Sequence, residues 1–67
     1  MAQGTVKFYN PTKGFGFITA EDGEEIFFHK SNVKNTGFRD ILVQGDNVNF
    51  ELKTEQKGKR AYNIMRV

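Results

Sequence analysis

The 67-residue chain has no cysteine and only one histidine, and this scarcity excludes several kinds of site. Without thiols there can be neither a disulfide nor a cysteine-ligated metal site. A metal bound by His29 would depend on scattered carboxylates for its other ligands. Acid–base cleavage of RNA would rest on the same single imidazole, with no evident pocket around it. We therefore predict no enzyme activity, no metal site and no cofactor.

Long apolar stretches are missing as well. The longest purely apolar runs, Ile26-Phe27-Phe28 and Ile41-Leu42-Val43, are far too short to cross a membrane. The opening Met1-Ala2-Gln3 resembles neither a signal peptide nor a transit peptide. We expect a soluble, cytoplasmic protein with no membrane partner and no small-molecule substrate.

Acidic residues are absent from the first part of the chain. The first carboxylate is Glu21, and three more follow within residues 22–25, whereas Lys7 and Lys13 bracket the first aromatic residues. Basic residues return in the segment 57–66, and the formal net charge is +2. Each lysine taken alone fits an ordinary mixed surface, but together they predict a basic side with an acidic corner.

Phenylalanine, in contrast, is abundant, with 7 Phe and 2 Tyr in this short chain. A domain of this size buries only about 60 % of the surface that its unfolded chain exposes. Some rings should therefore remain outside, each forgoing roughly 1.5–3 kcal/mol of burial. A function carried by exposed rings would explain why they are tolerated.

Alternation and turn signals predict five short strands and no sustained helix. Asn10-Pro11 ends the first strand, and Asp22-Gly23 and Lys57-Gly58-Lys59 mark turns. Ser31 could begin one helical turn, and residues 41–43 are expected to fill the core. The predicted strands are residues 5–10, 15–20, 25–29, 47–53 and 60–67, with Val48, Phe50 and Leu52 inward on the fourth. This pattern predicts an all-β, closed or partly closed barrel formed by a single domain of residues 1–67.

The segment 13–18 is the most informative about function. Side chains alternate along a strand, so Phe15 and Phe17 share one face while Gly14, Gly16 and Ile18 share the other. Glycines belong on the inner face, where the missing side chains allow a small barrel to curve tightly. The two rings should therefore face solvent.

The same alternation divides two other aromatic segments. With Ile26 and Phe28 inward, Phe27 and His29 face outward beside the first two rings. In the first strand, inward residues that alternate from Val6 would leave Phe8 inside and Tyr9 outside, unless a bulge intervenes. Exposed rings beside lysines suit stacking against unpaired bases, which predicts a single-stranded nucleic-acid binder.

These residues resemble a known family. Lys13-Gly14-Phe15-Gly16-Phe17-Ile18 resembles the first ribonucleoprotein motif and Ile26-Phe27-Phe28-His29 the second. With residues 4–10 and the later Gly37-Phe38, essentially the whole chain resembles the bacterial-type cold shock proteins. The chain is too short for an RNA recognition motif, lacks its two helices and carries the motifs in the opposite order.

The resemblance implies a five-stranded antiparallel OB-fold barrel that binds single-stranded RNA and DNA. It also implies an RNA chaperone and regulator of transcription or translation, and we expect a monomer. The ring at position 8 would lie on the binding face, against the simple alternation. The binding residues implied by matched position are Lys7, Phe8, Asn10, Lys13, Phe15, Phe17, Phe27, His29 and Phe38, with Lys57 near a basic loop contact.

The chain departs from the family at three positions. Phe8 stands where tryptophan is usual, which reduces stacking area, and Tyr9 replaces the usual phenylalanine. Lys30 replaces a common aromatic residue, so that a stacking ring is exchanged for a charge that could meet a phosphate. These departures bear on affinity and base preference more than on the function itself.

Two other functions fit a small barrel with exposed rings. An SH3-like interaction module would combine tyrosine and tryptophan with acidic residues to hold proline-rich peptides, whereas this surface offers phenylalanine and lysine. An OB domain of a translation factor is the nearer alternative, since it also binds nucleic acid.

Overall fold

The computed structural model describes residues 2–34 and 42–67. Among these residues, the predicted strands are all present, and a short 3₁₀ turn follows the third of them. The elements are β1 (Ala2–Asn10), β2 (Phe15–Ala20), β3 (Glu25–His29), the 3₁₀ turn (Lys30–Asn32), β4 (Asn47–Glu55) and β5 (Gly58–Arg66). β1 begins earlier than predicted because its first residues, from Ala2 to Thr5, pair with β4.

The strands close into a barrel in the order β1-β2-β3-β5-β4. Most neighbours run antiparallel, as the family resemblance implied. The exception is the contact that joins β3 to β5, which is parallel and has the register pair Phe27 and Arg60. Closure matters for the site because it brings a strand from the end of the chain beside the aromatic segments of β2 and β3.

The interior is filled by aliphatic and aromatic side chains from every strand. Of the run 41–43, which was expected to fill the core, Leu42 is only 4 % exposed and does so, whereas Val43 is 44 % exposed. Ile41 lies outside the described residues. The buried residues are Val6, Ile18, Ile26, Phe28, Leu42, Val48, Phe50, Ala61 and Ile64. No polar side chain is buried among the described residues, so the outer faces of the strands carry the polar groups and the remaining rings.

A β-bulge at Lys7 overturns the simple alternation in β1. Val6 pairs with Ile18 and Phe8 with Phe17, so β1 holds one residue more than β2 over this stretch. Val6 is therefore buried while Phe8 is 44 % exposed. Tyr9 turns towards the core, where its ring centroid lies 5.4 Å from that of Phe28. Simple alternation, which would have put Phe8 inside and Tyr9 outside, is therefore wrong here because a bulge intervenes, and the family resemblance placed the ring at position 8 correctly.

Leu52 was predicted to lie inward with Val48 and Phe50, but its side chain is 42 % exposed, so its expected burial was wrong. β1 pairs with β4 only as far as Phe50. Beyond that point β4 and β5 continue as a hairpin to Glu55 and Gly58. Leu52 keeps the inner parity of Val48 and Phe50, but no β1 residue pairs with β4 at this level to cover it.

No helix in the described part of the chain has the length and apolar character needed to cross a membrane.

Candidate nucleic-acid interface

Gly16 determines the direction in which the rings of β2 point. Its inner side lies against the carbonyl oxygen of Phe8 and the ring of Phe28, and an added Cβ would stand 2.4 Å and 2.7 Å from these atoms. Only glycine fits this close approach of two strands and a core ring. Because Gly16 and Ile18 are buried, Phe15 and Phe17 project from the opposite face, as predicted.

Four phenylalanine rings form a continuous cluster on that face, here called the aromatic platform: Phe8, Phe15, Phe17 and Phe27. Phe15 is at the centre, with its ring centroid 6.0 Å from those of Phe8 and Phe27 and 6.4 Å from that of Phe17. The rings of Phe15 and Phe27 are nearly parallel, at 22°, whereas Phe17 meets both at steep angles. Phe8 is exposed and the other three rings are half-buried, so the platform presents apolar surface to solvent.

Strand register explains why these rings meet. Phe8 pairs with Phe17, Phe17 with Phe27, Phe27 with Arg60 and Arg60 with Lys53. This row crosses all five strands in the order of the barrel. Cross-strand partners lie close enough for their side chains to touch, so a single row brings rings from β1, β2 and β3 together.

A second row places His29 at the edge of the platform, because Phe15 pairs with Asn10 on one side and with His29 on the other. The imidazole is exposed and is oriented by the 3₁₀ turn. Its Nδ1 accepts a hydrogen bond from the Ser31 backbone N–H at 3.1 Å and lies 2.9 Å from the Ser31 hydroxyl oxygen. An Nδ1 that accepts from a backbone amide leaves the proton on Nε2, so the ring can offer that N–H to a ligand.

Cations surround the platform, and two of them are engaged by the acidic corner. Lys7 pairs with Glu25, and Lys59 pairs with Glu24. The hydrogen bond from Lys59 to Glu24 raises the pKa of that lysine. Both pairs are exposed, where ion pairs contribute little, so a phosphate could compete for either lysine.

The family of the chain follows from a comparison with known proteins. Residues 2–67 match the model of the "Cold-shock" DNA-binding domain. The chain belongs to this family. It is thus a nucleic-acid-binding domain, and the aromatic platform is the surface that its sequence motifs build.

Several bacterial relatives cover nearly the full chain. The major cold shock protein of Streptococcus pyogenes serotype M1 is 45 % identical over 67 residues, 100 % of this chain and 98 % of the relative. Cold shock protein 1 of Lactiplantibacillus plantarum is 42 % identical and covers 97 % of each chain. Cold shock protein CspC of Bacillus subtilis is 41 % identical and covers 98 % of each.

The fold is shared with a solved structure from an animal. Drosophila Unr CSD456 superposes with a TM-score of 0.79 at 27 % identity, over 98 % of this chain. The match spans only 26 % of that longer chain.

In this cold-shock domain, Asn10 has a structural contact of its own. Its Oδ1 accepts a hydrogen bond from the Lys13 backbone N–H at 3.1 Å, and its carbonyl accepts one from the Gly14 N–H at 2.8 Å. These bonds hold the turn between β1 and β2 and leave the side chain of Lys13 exposed at its tip. Gly14 in turn accepts a hydrogen bond from the Lys30 N–H at 2.9 Å, which places Lys30 beside that turn.

Lys57 and Phe38 were the remaining predicted site residues. Lys57 lies in the turn between β4 and β5, where it lines a groove bordered by Phe27 and Arg60. The structure therefore brings this loop to the edge of the aromatic platform. Phe38 lies outside the described residues.

Arg60 is a platform neighbour that sequence reasoning missed. Its guanidinium carbon lies 5.0 Å from the centroid of the Phe27 ring, close enough for a cation–π contact. Alternation from buried Ala61 could have placed Arg60 on the outer face. Its position beside Phe27 follows only from barrel closure, which pairs β5 with β3.

The described residues hold no cluster of three or more metal-binding side chains.

Proposed function

We propose that this cold-shock domain binds single-stranded RNA and DNA by stacking unpaired bases on the aromatic platform. The observation that best supports this proposal is the contiguous cluster of four phenylalanine rings on the outer face of β1, β2 and β3. Burying a ring is favourable by about 1.5–3 kcal/mol, so a surface cluster is retained at a cost in stability. Contact with a ligand that has apolar faces of its own accounts for that cost.

The rings and the cations divide the binding between them. Stacking is worth roughly 1–3 kcal/mol per base and tolerates any sequence, because every base has a π face. Lysines at the border of the platform then meet the phosphates that connect the stacked bases. The residues we assign to the site are Lys7, Phe8, Asn10, Lys13, Phe15, Phe17, Phe27, His29, Lys30, Phe38 and Lys57.

Double-stranded nucleic acid does not fit this surface. In a duplex each base is already stacked on its neighbours, and its faces are not available to protein rings. The domain would therefore select unpaired strands and draw hairpins towards the open form by mass action, without ATP and without catalysis. This is the action of an RNA chaperone, and it would also regulate transcription or translation where a hairpin controls them.

The surroundings of the platform favour nucleic acid over a proline-rich peptide. Domains that hold such peptides combine tyrosine and tryptophan with acidic residues. Here the rings are phenylalanine, and Arg60 contacts Phe27 directly. We further propose a cytoplasmic location. We also propose a monomer, because the closed strand order leaves no described strand without neighbours on both sides.

A titration tests the function. The purified protein is added to labelled oligothymidine, oligoadenine and a duplex of the same length, each at two salt concentrations. We expect binding to the single strands that persists at the higher salt, and much weaker binding to the duplex. Equal affinity for the duplex, lost as salt is raised, would show unspecific charge attraction instead and would contradict base stacking.

A further inference from the structure

The outer row of side chains does not end at the aromatic platform. Beyond Phe27 it continues on β5 with Arg60, whose guanidinium carbon lies 5.0 Å from the Phe27 ring centroid and 6.0 Å from that of Tyr62. On β4, the Lys53 ammonium lies 4.9 Å from the same tyrosine ring. Rings and cations therefore alternate from β3 across β5 to β4.

Tyr62 lies on the same outer face as the platform. Its neighbour Ala61 is fully buried, so the tyrosine side chain must point the other way, and it is half-buried there. The next residue, Asn63, has a φ of 51° at a register shift between β4 and β5. This bulge returns Ile64 to the core and leaves Tyr62 outside, beside Arg60.

The polar atoms of this region leave binding capacity for a ligand. The Tyr62 hydroxyl donates to Glu55, and this hydrogen bond raises the pKa of the tyrosine. Glu55 also lies 3.7 Å from a terminal nitrogen of Arg60. The Arg60 Nε, however, is buried and finds no hydrogen-bond partner among the described residues. A buried donor without a partner is unusual, so the Arg60 side chain gains a hydrogen bond if it turns towards a phosphate or base oxygen of a ligand.

We propose that the track for single-stranded nucleic acid continues from Phe27 across Arg60 to Tyr62, and so takes at least one nucleotide more than the aromatic platform holds. A base stacks on the Tyr62 ring, while Arg60 and Lys53 contact the phosphates on either side of it. This proposal rests on the proposed function, because the ligand is the same strand and only its path is extended. Two cations, Arg60 and Lys53, flank the ring, and two carboxylates lie beside it: Glu55 and Glu51, the register partner of Tyr62. The charge here is balanced, so the path is supported by the exposed row of ring and cation–π contacts and not by net charge.

A series of oligothymidines of increasing length tests the extension, from about 4 to about 10 nucleotides. The wild type is compared with Tyr62→Ser, which removes the ring, and with Tyr62→Phe, which keeps the ring but not the bond to Glu55. For the longest strands we expect Tyr62→Ser to bind about fivefold more weakly or worse, since one stacked base is lost. The shortest strands should bind all three proteins equally, and Tyr62→Phe should match the wild type throughout.

Tyrosine fluorescence gives a second readout. The chain has no tryptophan and only two tyrosines, and Tyr9 packs against Phe28 towards the core. A base stacked on Tyr62 should therefore quench the emission when long oligothymidines bind, but not when short ones do. In Tyr62→Phe this length-dependent quenching should disappear although binding is retained.

The outcomes separate the two proposals. If the wild type binds but Tyr62→Ser binds every length as well as the wild type does, the extension is wrong and the aromatic platform alone is the site. An equal loss of affinity at all lengths, together with a lower melting temperature, would show that Tyr62 only stabilises the β4–β5 hairpin. That result would also overturn the proposed extension. If the wild type binds no oligothymidine of any length, the proposed function itself fails.

Discussion

Phe27 and Phe28 are neighbours in the chain with the same side chain and opposite environments. Phe28 is completely buried against Tyr9 and the inner side of Gly16. Phe27 lies outside, between the Phe15 ring and the Arg60 guanidinium. The direction of the side chain alone therefore separates a residue that holds the barrel together from one that we assign to ligand binding.

This contrast predicts opposite effects for two alanine substitutions. Phe27→Ala should weaken oligothymidine binding by roughly 1–3 kcal/mol, because one stacking surface is lost, and should leave the fold intact. Phe28→Ala should lower the free energy of unfolding by about 3–5 kcal/mol, because it leaves a cavity in the core. Thermal or urea unfolding of both variants, with an oligonucleotide titration of Phe27→Ala, measures the two effects. A similar loss of stability in both would mean that Phe27 also belongs to the core.

At the scale of single elements, two irregular positions on neighbouring strands direct the rings. The bulge at Lys7 interrupts the alternation of side chains along β1, so that Phe8 points outward. Gly16 lets β2 approach the carbonyl of Phe8 and the ring of Phe28. Without both features, the rings of β1 and β2 could not share one surface.

Gly16→Ala should therefore lower the free energy of unfolding by about 1–3 kcal/mol or more, because the new methyl group meets backbone and a core ring. Gly23→Asn is the matched control. Gly23 has a φ of 89° and open space around its missing side chain, and asparagine is among the residues that tolerate positive φ best. The melting temperatures of the two variants are compared, and a smaller loss for Gly16→Ala than for the control would contradict the close approach described here.

At the scale of the whole molecule, charge is a minor part of the proposed binding. The net charge is only +2, and two of the lysines near the platform are already paired with glutamates. The domain can then neutralise few phosphates at once. The salt dependence of binding should be shallow, and most of the affinity should come from the rings.

The substitution Lys13→Gln measures how much one lysine contributes to the salt dependence of binding. If Lys13 contacts one phosphate, the slope of log K against log salt for a single strand should become shallower by about 0.7. Phe27→Ala is the control, since losing a ring should lower the affinity at every salt concentration without changing the slope. An unchanged slope in Lys13→Gln would exclude this lysine as a phosphate contact.

Local patterns in the chain were enough to predict the five strands, the main turns and which side chains of β2 and β3 face outward. Alternation of apolar residues, Asp22-Gly23 and the glycines of β2 are local signals that act within a few residues. These signals failed where a residue's facing depends on partners distant in the chain. The inner parity of Leu52 was read correctly, but its exposure depends on where β1 stops pairing with β4.

The neighbours of the aromatic platform follow from barrel closure and not from any local pattern. Arg60 contacts Phe27 because barrel closure pairs β5 with β3. Tyr62 is then the next residue on the outer face of β5, beside Arg60. These residues are more than thirty positions away from Phe27 in the chain, and no local pattern encodes that distance. The bulge at Lys7 likewise depends on pairing with β2, because it exists only as one extra residue of β1 opposite that strand.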